Sequence, residues 1–224
     1  MNLSNIILHF YNQNYSKPWE SGPINDSRVR KILSLSGSNK RILDVGCYDG
    51  TIAKELEKNY NHVIGLDIAE NAVKMARKKG IEAYQLNTEL ESFPKSLGKF
   101  DVVIAGELME HLFNPDIFLE KVWHILWPKG HLVLTTPNLA GLGSRLCLLL
   151  GNSPWMIEND ILPGKSGHIR YFTPSSLKDL IHRHGFKVIE CTTDSVGLYQ
   201  MTLPLMDKVL PNLGRIIIIK AQKI

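Results

Sequence analysis

The sequence predicts an α/β fold in which helices cover both faces of a mostly parallel sheet. Between residues 41 and 136, short apolar segments alternate with amphipathic ones, the pattern of strands joined by crossover helices. At residues 41–53 an apolar segment runs directly into a glycine-containing turn, and a second apolar segment ends at Asp67. The 224 residues, 44% of them hydrophobic, suffice for one domain with a single core.

The first 40 residues precede the alternating segments. They contain the aromatic residues Tyr11, Tyr15 and Trp19, followed by an amphipathic stretch at residues 26–35. Apolar positions at helical spacing predict a helix that packs one face on the sheet. We therefore expect residues 1–40 to form a helical segment that can cover a bound ligand.

A glycine-containing turn follows the first predicted strand. Gly46 and Gly50 lack a Cβ, so the backbone there can turn sharply and approach a bound molecule closely. Asp44, at the end of the strand, offers an acceptor toward the same space. The second predicted strand, residues 62–67, ends in Asp67, and a carboxylate at that place can bind both hydroxyls of a ribose. The two segments together predict a nucleoside site.

The residues between the two glycines indicate which nucleoside binds. A dinucleotide-binding turn has the pattern G-x-G-x-x-G, whose third glycine lets the helix N-terminus contact a pyrophosphate. Here Tyr48 and Asp49 occupy the middle of the turn, and a carboxylate there is expected to repel a diphosphate. We therefore predict a nucleoside without phosphates, and a nicotinamide-dependent oxidoreductase is the alternative.

Residues 41–53 together with Asp67 resemble the first motif of class I S-adenosylmethionine (SAM)-dependent methyltransferases. Residues 99–106 and 131–137 resemble the fourth and fifth strands of that family, and residues 167–186 resemble a segment common in its ubiquinone-biosynthesis-like branch. The resemblance implies a single Rossmann-like domain. Its seven-stranded sheet would be mostly parallel, with an antiparallel last strand, helices on both faces and a small cap insertion.

The same resemblance implies SAM as the cofactor, with the glycine turn facing its methionine part and Asp67 holding its ribose. Asn87 stands where the family usually has an aspartate that accepts from the adenine amino group, and the Asn carbonyl oxygen can accept instead. A non-catalytic SAM-binding protein is a second alternative. The cofactor-binding residues so implied are Asp44, Gly46, Cys47, Gly50, Asp67, Ile68, Asn87, Thr88, Gly106 and Glu107.

Glu107, Glu110 and His111 follow the fourth predicted strand. Their spacing would place them on one helical face, and two carboxylates with an imidazole can bind Mg, Mn or Zn. The run resembles a Glu-x-x-Glu-His segment of two metal-assisted branches, the polyprenyl-catechol O-methyltransferases and the small-RNA terminal 2′-hydroxyl methyltransferases. Three interpretations stay open. The site holds a divalent metal through Glu107, Glu110, His111 and His168, or His111 is a metal-free catalytic base beside Glu110, or His111 is structural.

Residues 138–170 interrupt the alternation with glycines, prolines and apolar residues. They follow the carboxyl end of a strand, where open α/β sheets bind ligands, so they are predicted to cap the substrate. Leu139, Leu142, Leu146 and Leu149 recur at helical spacing, which favours packing against the sheet over contact with a lipid. We expect a small-molecule acceptor or one linked to a lipid or a sugar, and O-methylation in preference to N-methylation.

These segments predict a domain organisation with four parts. Residues 1–40 form the helical cofactor-covering segment, 41–137 the SAM-binding core, 138–170 the substrate cap, and 171–224 the remainder of the same sheet domain. The sequence leaves the oligomeric state open.

Composition bears on partners and compartment. The net charge of +4 is spread along the chain. The densest basic cluster, within residues 74–79, lies on a predicted helix, and a solvated helix face accounts for it. Nucleic-acid binding is therefore not expected. Three cysteines without a C-x-x-C pair and the absence of a signal-peptide pattern predict a cytoplasmic protein. The longest apolar run, residues 139–151, is too short to span a bilayer.

Overall fold

The computed structural model describes residues 3–14, 26–158, 166–198, 201–202, 210 and 212–224. Predictions for Tyr15, Trp19 and residues 159–165 of the cap lie outside the described residues. The helices, in chain order, are α1 (Leu3–Asn14), α2 (Ser27–Ser36), α3 (Thr51–Glu57), α4 (Glu70–Lys78), α5 (Pro115–Ile125), α6 (Leu142–Leu149) and α7 (Pro174–Arg183). The strands are β1 (Arg41–Val45), β2 (His62–Asp67), β3 (Glu82–Gln85), β4 (Phe100–Gly106), β5 (Leu126–Pro137), β6 (Phe186–Thr193), β7 (Gly197–Leu198), β8 (Met201–Thr202) and β9 (Ile216–Lys223).

Seven of these strands form one sheet in the order β3-β2-β1-β4-β5-β9-β6. Strands β1 to β5 pair in parallel, whereas β9 lies between β5 and β6 and runs antiparallel to both. The order confirms the predicted fold class, a Rossmann-like α/β domain with an antiparallel last strand. β7 and β8 pair separately as a short two-stranded sheet.

Helix α2 shows how a local sequence fixes a helix on the sheet. The Asp26 carboxylate caps it by accepting from the backbone N–H of Arg28 at 2.8 Å and of Val29 at 3.4 Å. Val29 and Ile32 are buried, and the helix packs against β5 and β9. The predicted helix at residues 26–35 is confirmed to within one residue.

The core has two parts, one on each face of the sheet. On one face Phe118 and Leu119 of α5 pack with Leu177 of α7 against the strands. On the other face Leu56 of α3 and Val73 of α4 pack with side chains of α2. Full burial of one such side chain contributes about 1.5–3 kcal/mol. Helices therefore cover both faces, as predicted, and the central strands are apolar on both sides.

Residues 127–130, which precede the segment expected to form the fifth strand, lie inside a strand. β5 begins at Leu126 and resumes its pairing with β4 at His131, whereas β4 has only Asp101 between the two partner positions. The extra residues of β5 must bulge out of the ladder, and Lys129 adopts a left-handed φ of 63° there. The strand, expected over residues 131–137, therefore begins earlier, at Leu126.

Helix α6 does not pack its leucines on the sheet. Ser144 is the buried residue of α6, while Leu146 and Leu149 are 36% and 80% exposed. The first turn of α6 is attached to the domain by a backbone hydrogen bond, in which the Leu142 N–H donates to the Leu213 carbonyl at 3.0 Å. The helix is therefore held in place without burial of an apolar face. The prediction that the leucines pack against the sheet was therefore wrong for Leu146 and Leu149, whereas Leu139 and Leu142 are half-buried. No helix in the described ranges combines the length and apolarity needed to cross a membrane.

Candidate active site

The carboxyl ends of β1, β2, β4 and β5 meet at one edge of the sheet. β1 lies between β2 and β4, so the connections diverge at this edge and leave a crevice where open α/β sheets bind ligands. Asp44 and Asp67 lie at the ends of β1 and β2, and Gly106 ends β4. Thr135 and Thr136 stand near the end of β5. The predicted cofactor residues of three strands therefore converge.

The glycine turn is bonded to the neighbouring strand β2. The N–H groups of Gly46 and Cys47 donate to the Leu66 carbonyl at 2.7 and 3.0 Å, and that of Tyr48 donates to Oδ2 of Asp67 at 2.9 Å. Gly46 has a φ of 79° and Tyr48 a φ of 51°, a conformation that glycine adopts freely and tyrosine only at a cost. The turn thus has the tight backbone that the sequence predicts.

Gly50 and the Cys47 thiol both pack inside the domain. A Cβ on Gly50 would lie 3.0 Å from Cα and Cβ of Ala76 in α4, and a Cβ on Gly65 would lie 2.6 Å from the Cys47 Sγ. Burial raises the pKa of this thiol well above its usual value. The Cys47 side chain and the Cα of Gly50 therefore face the protein interior. If residues 47 and 50 contact a cofactor, their backbone atoms make the contact.

Asp49 is also turned into the domain. Its carboxylate is buried, accepts from the Thr51 N–H at 3.0 Å and forms an ion pair with Lys79 at 2.6 Å. The lysine compensates its charge, so the prediction that Asp49 repels a diphosphate in the crevice was wrong. The missing third glycine remains as the sequence argument against a dinucleotide.

Asp67 and Asn87 already use their side-chain oxygens within the protein. Oδ1 of Asp67 accepts from the Ala69 N–H at 2.8 Å, which leaves each carboxylate oxygen a further lone pair for a ribose hydroxyl. Oδ1 of Asn87 accepts from the N–H groups of Glu89 at 3.0 Å and Leu90 at 3.3 Å. Because both lone pairs of the Asn87 oxygen are engaged, an adenine amino group would have to displace one of them.

Ile68 and Thr88 follow the ends of β2 and β3. The Ile68 carbonyl accepts from the Gln85 amide at 3.0 Å, and the Thr88 carbonyl accepts from Lys121 at 2.7 Å. These bonds fix the backbone on one side of the crevice.

Three carboxyl groups lie at the crevice, those of Asp44 and Glu110, which are buried, and that of Glu107, which is half-buried. Asp44 is 3% exposed, and its Oδ2 has no hydrogen-bond partner among the described residues. Burial, reinforced by the charge of Asp67, raises the pKa of Asp44 to about 7. Burial also raises the pKa of Glu107 and, together with the Glu107 charge, that of Glu110 well above its usual value. The Arg28 guanidinium opposes all three shifts.

Glu107 does not lie on a helix. Its φ is 52°, and the short 3-10 turn that follows spans only Met109–His111. The Glu107 N–H donates to the Thr135 carbonyl at 3.0 Å, and its Oε1 accepts from the Thr135 hydroxyl at 2.8 Å. Glu107 therefore extends the pairing of β4 with β5 by one residue. The prediction that it shares a helical face with Glu110 and His111 was wrong.

Glu110, His111 and His168 form a compact group in which one ligand atom of each lies within 4.8 Å of the others. Nδ1 of His111 lies 3.2 Å from the Gly167 carbonyl, and Nδ1 of His168 lies 3.3 Å from the Met156 carbonyl. A carbonyl can only accept, so each Nδ1 carries the proton and each Nε2 offers a lone pair. Burial, followed by the neighbouring His168, lowers the pKa of His111 to about 4.

Glu110 has one bonded and one unbonded carboxyl oxygen. Oε2 accepts from the Thr136 hydroxyl at 2.9 Å, whereas Oε1 is buried without a hydrogen-bond partner among the described residues. The Glu110 carbonyl accepts from the N–H groups of Ile169 and Arg170 at 2.9 and 3.0 Å. These bonds attach the segment that carries His168, so the group is held by backbone as well as by side chains.

Aromatic side chains from α1 and the cap lie beside the two histidines. The Tyr11 ring centroid is 6.0 Å from that of His111, and a Cβ on Gly167 would lie 2.8 Å from the Phe10 ring. The Trp155 ring centroid is 6.2 Å from that of His168. The histidines are therefore enclosed by rings from segments distant in sequence.

A model of the methyltransferase domain family matches residues 23–191, more than half of the chain. The chain belongs to this methyltransferase family. It is a SAM-dependent methyltransferase, and neither a nicotinamide-dependent oxidoreductase nor a non-catalytic SAM-binding protein is favoured.

The methyltransferase is similar to both characterised sequences and solved structures. A ubiquinone biosynthesis O-methyltransferase of Marinobacter nauticus is 29% identical over 177 residues, which cover 76% of this chain and 72% of the relative. A SAM-dependent methyltransferase of Mesorhizobium loti has a TM-score of 0.64 at 16% identity, covering 90% of this chain and all of that one. A magnesium protoporphyrin IX methyltransferase of Synechocystis with bound SAH has a TM-score of 0.64 at 14% identity, covering 98% and 99%. The two structures share the fold.

Sequence reasoning missed three residues that shape this methyltransferase site. Arg28 reaches the end of β4, where its guanidinium lies 3.7 Å from the place of a Gly106 Cβ. Thr135 bonds Glu107, and the Glu158 carboxylate accepts from the Gly167 N–H at 2.6 Å. Hydroxyls at the carboxyl end of a predicted strand are a usable sequence signal. No local pattern marks Arg28 or Glu158, because both act across long sequence separations.

Proposed function

We propose that the methyltransferase transfers the SAM methyl group to a hydroxyl of a small-molecule acceptor with an apolar or lipid-like part. The observation that carries the proposal is the compact group of Glu110, His111 and His168, in which His111 offers an Nε2 lone pair and Glu110 an unbonded Oε1, an arrangement suited to removing a hydroxyl proton. The name of the Marinobacter relative, an O-methyltransferase, supports the same reaction. Exposed leucines of the cap support an apolar acceptor.

Each part of the chain has a role in this proposal. Residues 1–40 cover the cofactor, residues 41–137 bind it, residues 138–170 cap the acceptor, and residues 171–224 complete the sheet. The position of Tyr11 beside His111 supports the covering role of α1.

The charges of the crevice support SAM as its ligand. SAM carries a sulfonium, an ammonium and a carboxylate, and when bound it supplies a methyl group that is already electrophilic. We assign the ammonium to the unbonded oxygen of Asp44, the ribose to Asp67 and the carboxylate to Arg28. Gly46 and Gly106 leave room for the ligand beside the backbone. A pyrophosphate would face the same carboxyl groups and be repelled.

His111 acts on the acceptor side in this proposal. Its low pKa keeps the imidazole neutral near pH 7, so Nε2 can take the proton of the attacking hydroxyl. General-base assistance of this kind contributes roughly 10² to 10⁴ in rate. The Tyr11 and Trp155 rings restrict water near the reacting atoms.

The group of Glu110, His111 and His168 also fits a divalent metal ion. It offers one unbonded carboxyl oxygen and two Nε2 lone pairs, and each histidine binds a carbonyl through Nδ1, as metal-ligating histidines do. A bound Zn²⁺ or Mn²⁺ would lower the pKa of the acceptor hydroxyl. Glu107, the fourth predicted ligand, is bonded to Thr135 and stays a prediction.

The reaction is tested with SAM and a catechol that carries a short alkyl chain. We expect SAM-dependent formation of the monomethyl ether, detected with the demethylated cofactor by mass spectrometry. The matched dimethyl ether, which has no hydroxyl, should give no product. Methylation of the corresponding aniline but not of the catechol would contradict O-methylation.

Metal binding is tested by elemental analysis of protein that has been treated with chelator, incubated with Zn²⁺ and desalted. We expect about one tightly held ion per chain in the wild type and loss of the ion in His168→Asn, because the Asn amide can still donate to the Met156 carbonyl but has no Nε2. Equal metal content in the two proteins would exclude this ligand set. Unchanged turnover after chelation would leave His111 as a metal-free base.

Arg28→Ala is expected to weaken SAM binding about 10- to 100-fold, because a hydrogen bond to a charged group contributes about 1.5–3 kcal/mol. Calorimetric titration with SAM measures the effect. Arg30→Ala is the matched control, since Arg30 is exposed on the same helix. Equal affinities in the two variants would place the methionine carboxylate elsewhere.

A further inference from the structure

A cavity of about 200 Å³ lies at the opposite edge of the sheet from the candidate active site. It is formed where β4 and β5 begin, where β9 approaches its end and where α2 ends. Its lining includes four basic residues, Lys40, Lys129, His131 and Lys220, together with Asp101 and Trp127. The length of the strands separates it from Asp44 and Gly106, so it is no part of the methyl-transfer site.

The charged side chains around the cavity are mostly basic. Lys40, Lys129 and Lys220 face it with His131, against one carboxylate, that of Asp101. Asp101 is partly satisfied by the Arg41 N–H, which donates to it at 2.8 Å. Burial and the charges of Lys220 and then Lys40 lower the pKa of His131, so the ammonium groups are close enough to act on one imidazole. An anion in the cavity would meet a positive field from several sides.

Each wall contributes differently to this field. Nζ of Lys220 donates to the Leu35 carbonyl at 2.8 Å, so it is held in place and offsets the negative end of α2. Lys40 is exposed, and the structure gives its ammonium no ion pair or hydrogen bond to a described residue. Lys40 can therefore turn toward a ligand without breaking a contact.

The bulge of β5 shapes the remaining wall. Lys129 has a φ of 63°, a conformation that costs a lysine free energy, and Gln222 donates to its carbonyl at 3.2 Å. A Cβ on Gly130 would lie 2.9 Å from the Trp127 carbonyl, so the bulge is tightly folded. Trp127 is 50% exposed at the cavity. A surface on which lysines only contact water does not need such a costly backbone conformation. The bulge, which places Lys129 and Trp127 at the cavity, therefore indicates a ligand.

We propose that this cavity is a second ligand site that binds a phosphate-class oxyanion, either free or as the terminal phosphates of a larger molecule. Its volume is below the 300–1,000 Å³ typical of drug-sized ligands, which suits one or two phosphate groups with any remainder of the molecule outside. Three ammonium groups provide the charge-assisted hydrogen bonds that such an anion needs. Trp127 can stack on a base attached to it.

The proposal is tested by titrating the full chain with sodium pyrophosphate at constant ionic strength, followed by calorimetry and by tryptophan fluorescence. We expect saturable one-to-one binding, and at least tenfold weaker binding in Lys40→Ala/Lys129→Asn. Asparagine tolerates the left-handed φ of residue 129, so this variant is expected to fold. In Trp127→Phe the fluorescence change should be lost while calorimetric binding is kept.

Lys78→Ala is the matched control, because Lys78 is an exposed lysine in the densest basic cluster of the chain. Binding that is unsaturable, or weakened as much by Lys78→Ala as by the cavity variant, would overturn the proposal. A parallel titration with adenosine diphosphate distinguishes the sources. Affinity equal to that of pyrophosphate indicates the free anion, and tenfold tighter binding indicates a nucleotide. SAM affinity should be unchanged in the cavity variant, which separates this site from the active site.

Discussion

In His111→Asn we expect turnover to fall by about 10² to 10⁴, the range that general-base assistance contributes, while SAM affinity stays within about threefold of the wild type. The asparagine amide can replace Nδ1 as the donor to the Gly167 carbonyl, so the bond to the cap segment is kept. The variant removes the Nε2 lone pair, which both the base and the metal-ligand interpretations require. The measurement is the rate of product formation at saturating SAM and acceptor, with calorimetry for the cofactor.

Thermal unfolding separates this result from a structural role of His111. Alanine at residue 111 also loses the bond to Gly167 and serves as the comparison. If His111→Asn is as active as the wild type and only His111→Ala is impaired, the residue holds the cap segment and takes no part in the reaction. His124→Ala, at an exposed histidine of α5, controls for a general effect of removing an imidazole.

In Asp44→Asn we expect the free energy of unfolding to fall less steeply than in the wild type as the pH rises from about 4 to 7, with the remaining dependence due to Glu107 and Glu110. In the wild type the folded pKa of Asp44 is raised from 3.8 to about 7. A raised carboxyl pKa gives a contribution to stability that is fully present below pH 4 and is lost as the pH rises through 7. At 1.36 kcal/mol per unit the loss amounts to about 4 kcal/mol at most. Urea unfolding of the cofactor-free protein at pH 4 and pH 8 measures it.

The same variant should bind SAM more weakly, since the unbonded Oδ2 of Asp44 is the proposed acceptor for the ammonium. A cation beside Asp44 favours its ionised form, so SAM binding to the wild type at pH 6.5 should release a proton. Calorimetry in buffers of different ionisation enthalpy detects this release. Proton release of the same size in Asp44→Asn would assign it to another group.

The fold could be predicted from the sequence because its signals are local and repeated. Apolar runs that end in Asp44 and Asp67, each followed by an amphipathic stretch, already specify parallel strands joined by helices. Hydrophobic periodicity reports burial, and burial on both faces determines this architecture. The candidate metal group was predicted from residue types and spacing together with family resemblance, and the structure brings Glu110, His111 and His168 of it together.

Features that depend on the partner of a side chain were not predictable. Asp49 and Lys79 meet only because α4 folds back on the glycine turn. Glu107 bonds Thr135 because β4 and β5 are neighbours in the sheet. The leucines of α6 have helical periodicity, but periodicity does not say whether a surface is present to receive them. In each case the deciding contact joins residues that are far apart in the chain.

The position of β9 between β5 and β6 has a consequence for how the protein folds during synthesis. β9 follows all the other described strands in the chain, yet it pairs with β5 on one side and β6 on the other. Until the ribosome has released these residues, the hydrogen-bonding edge of β5 is open and β6 has no neighbour in the sheet. Unpaired edges of this kind can join other chains, and pairing over such long sequence separations is slow. The nascent methyltransferase is therefore exposed to misassembly until synthesis has passed residue 223.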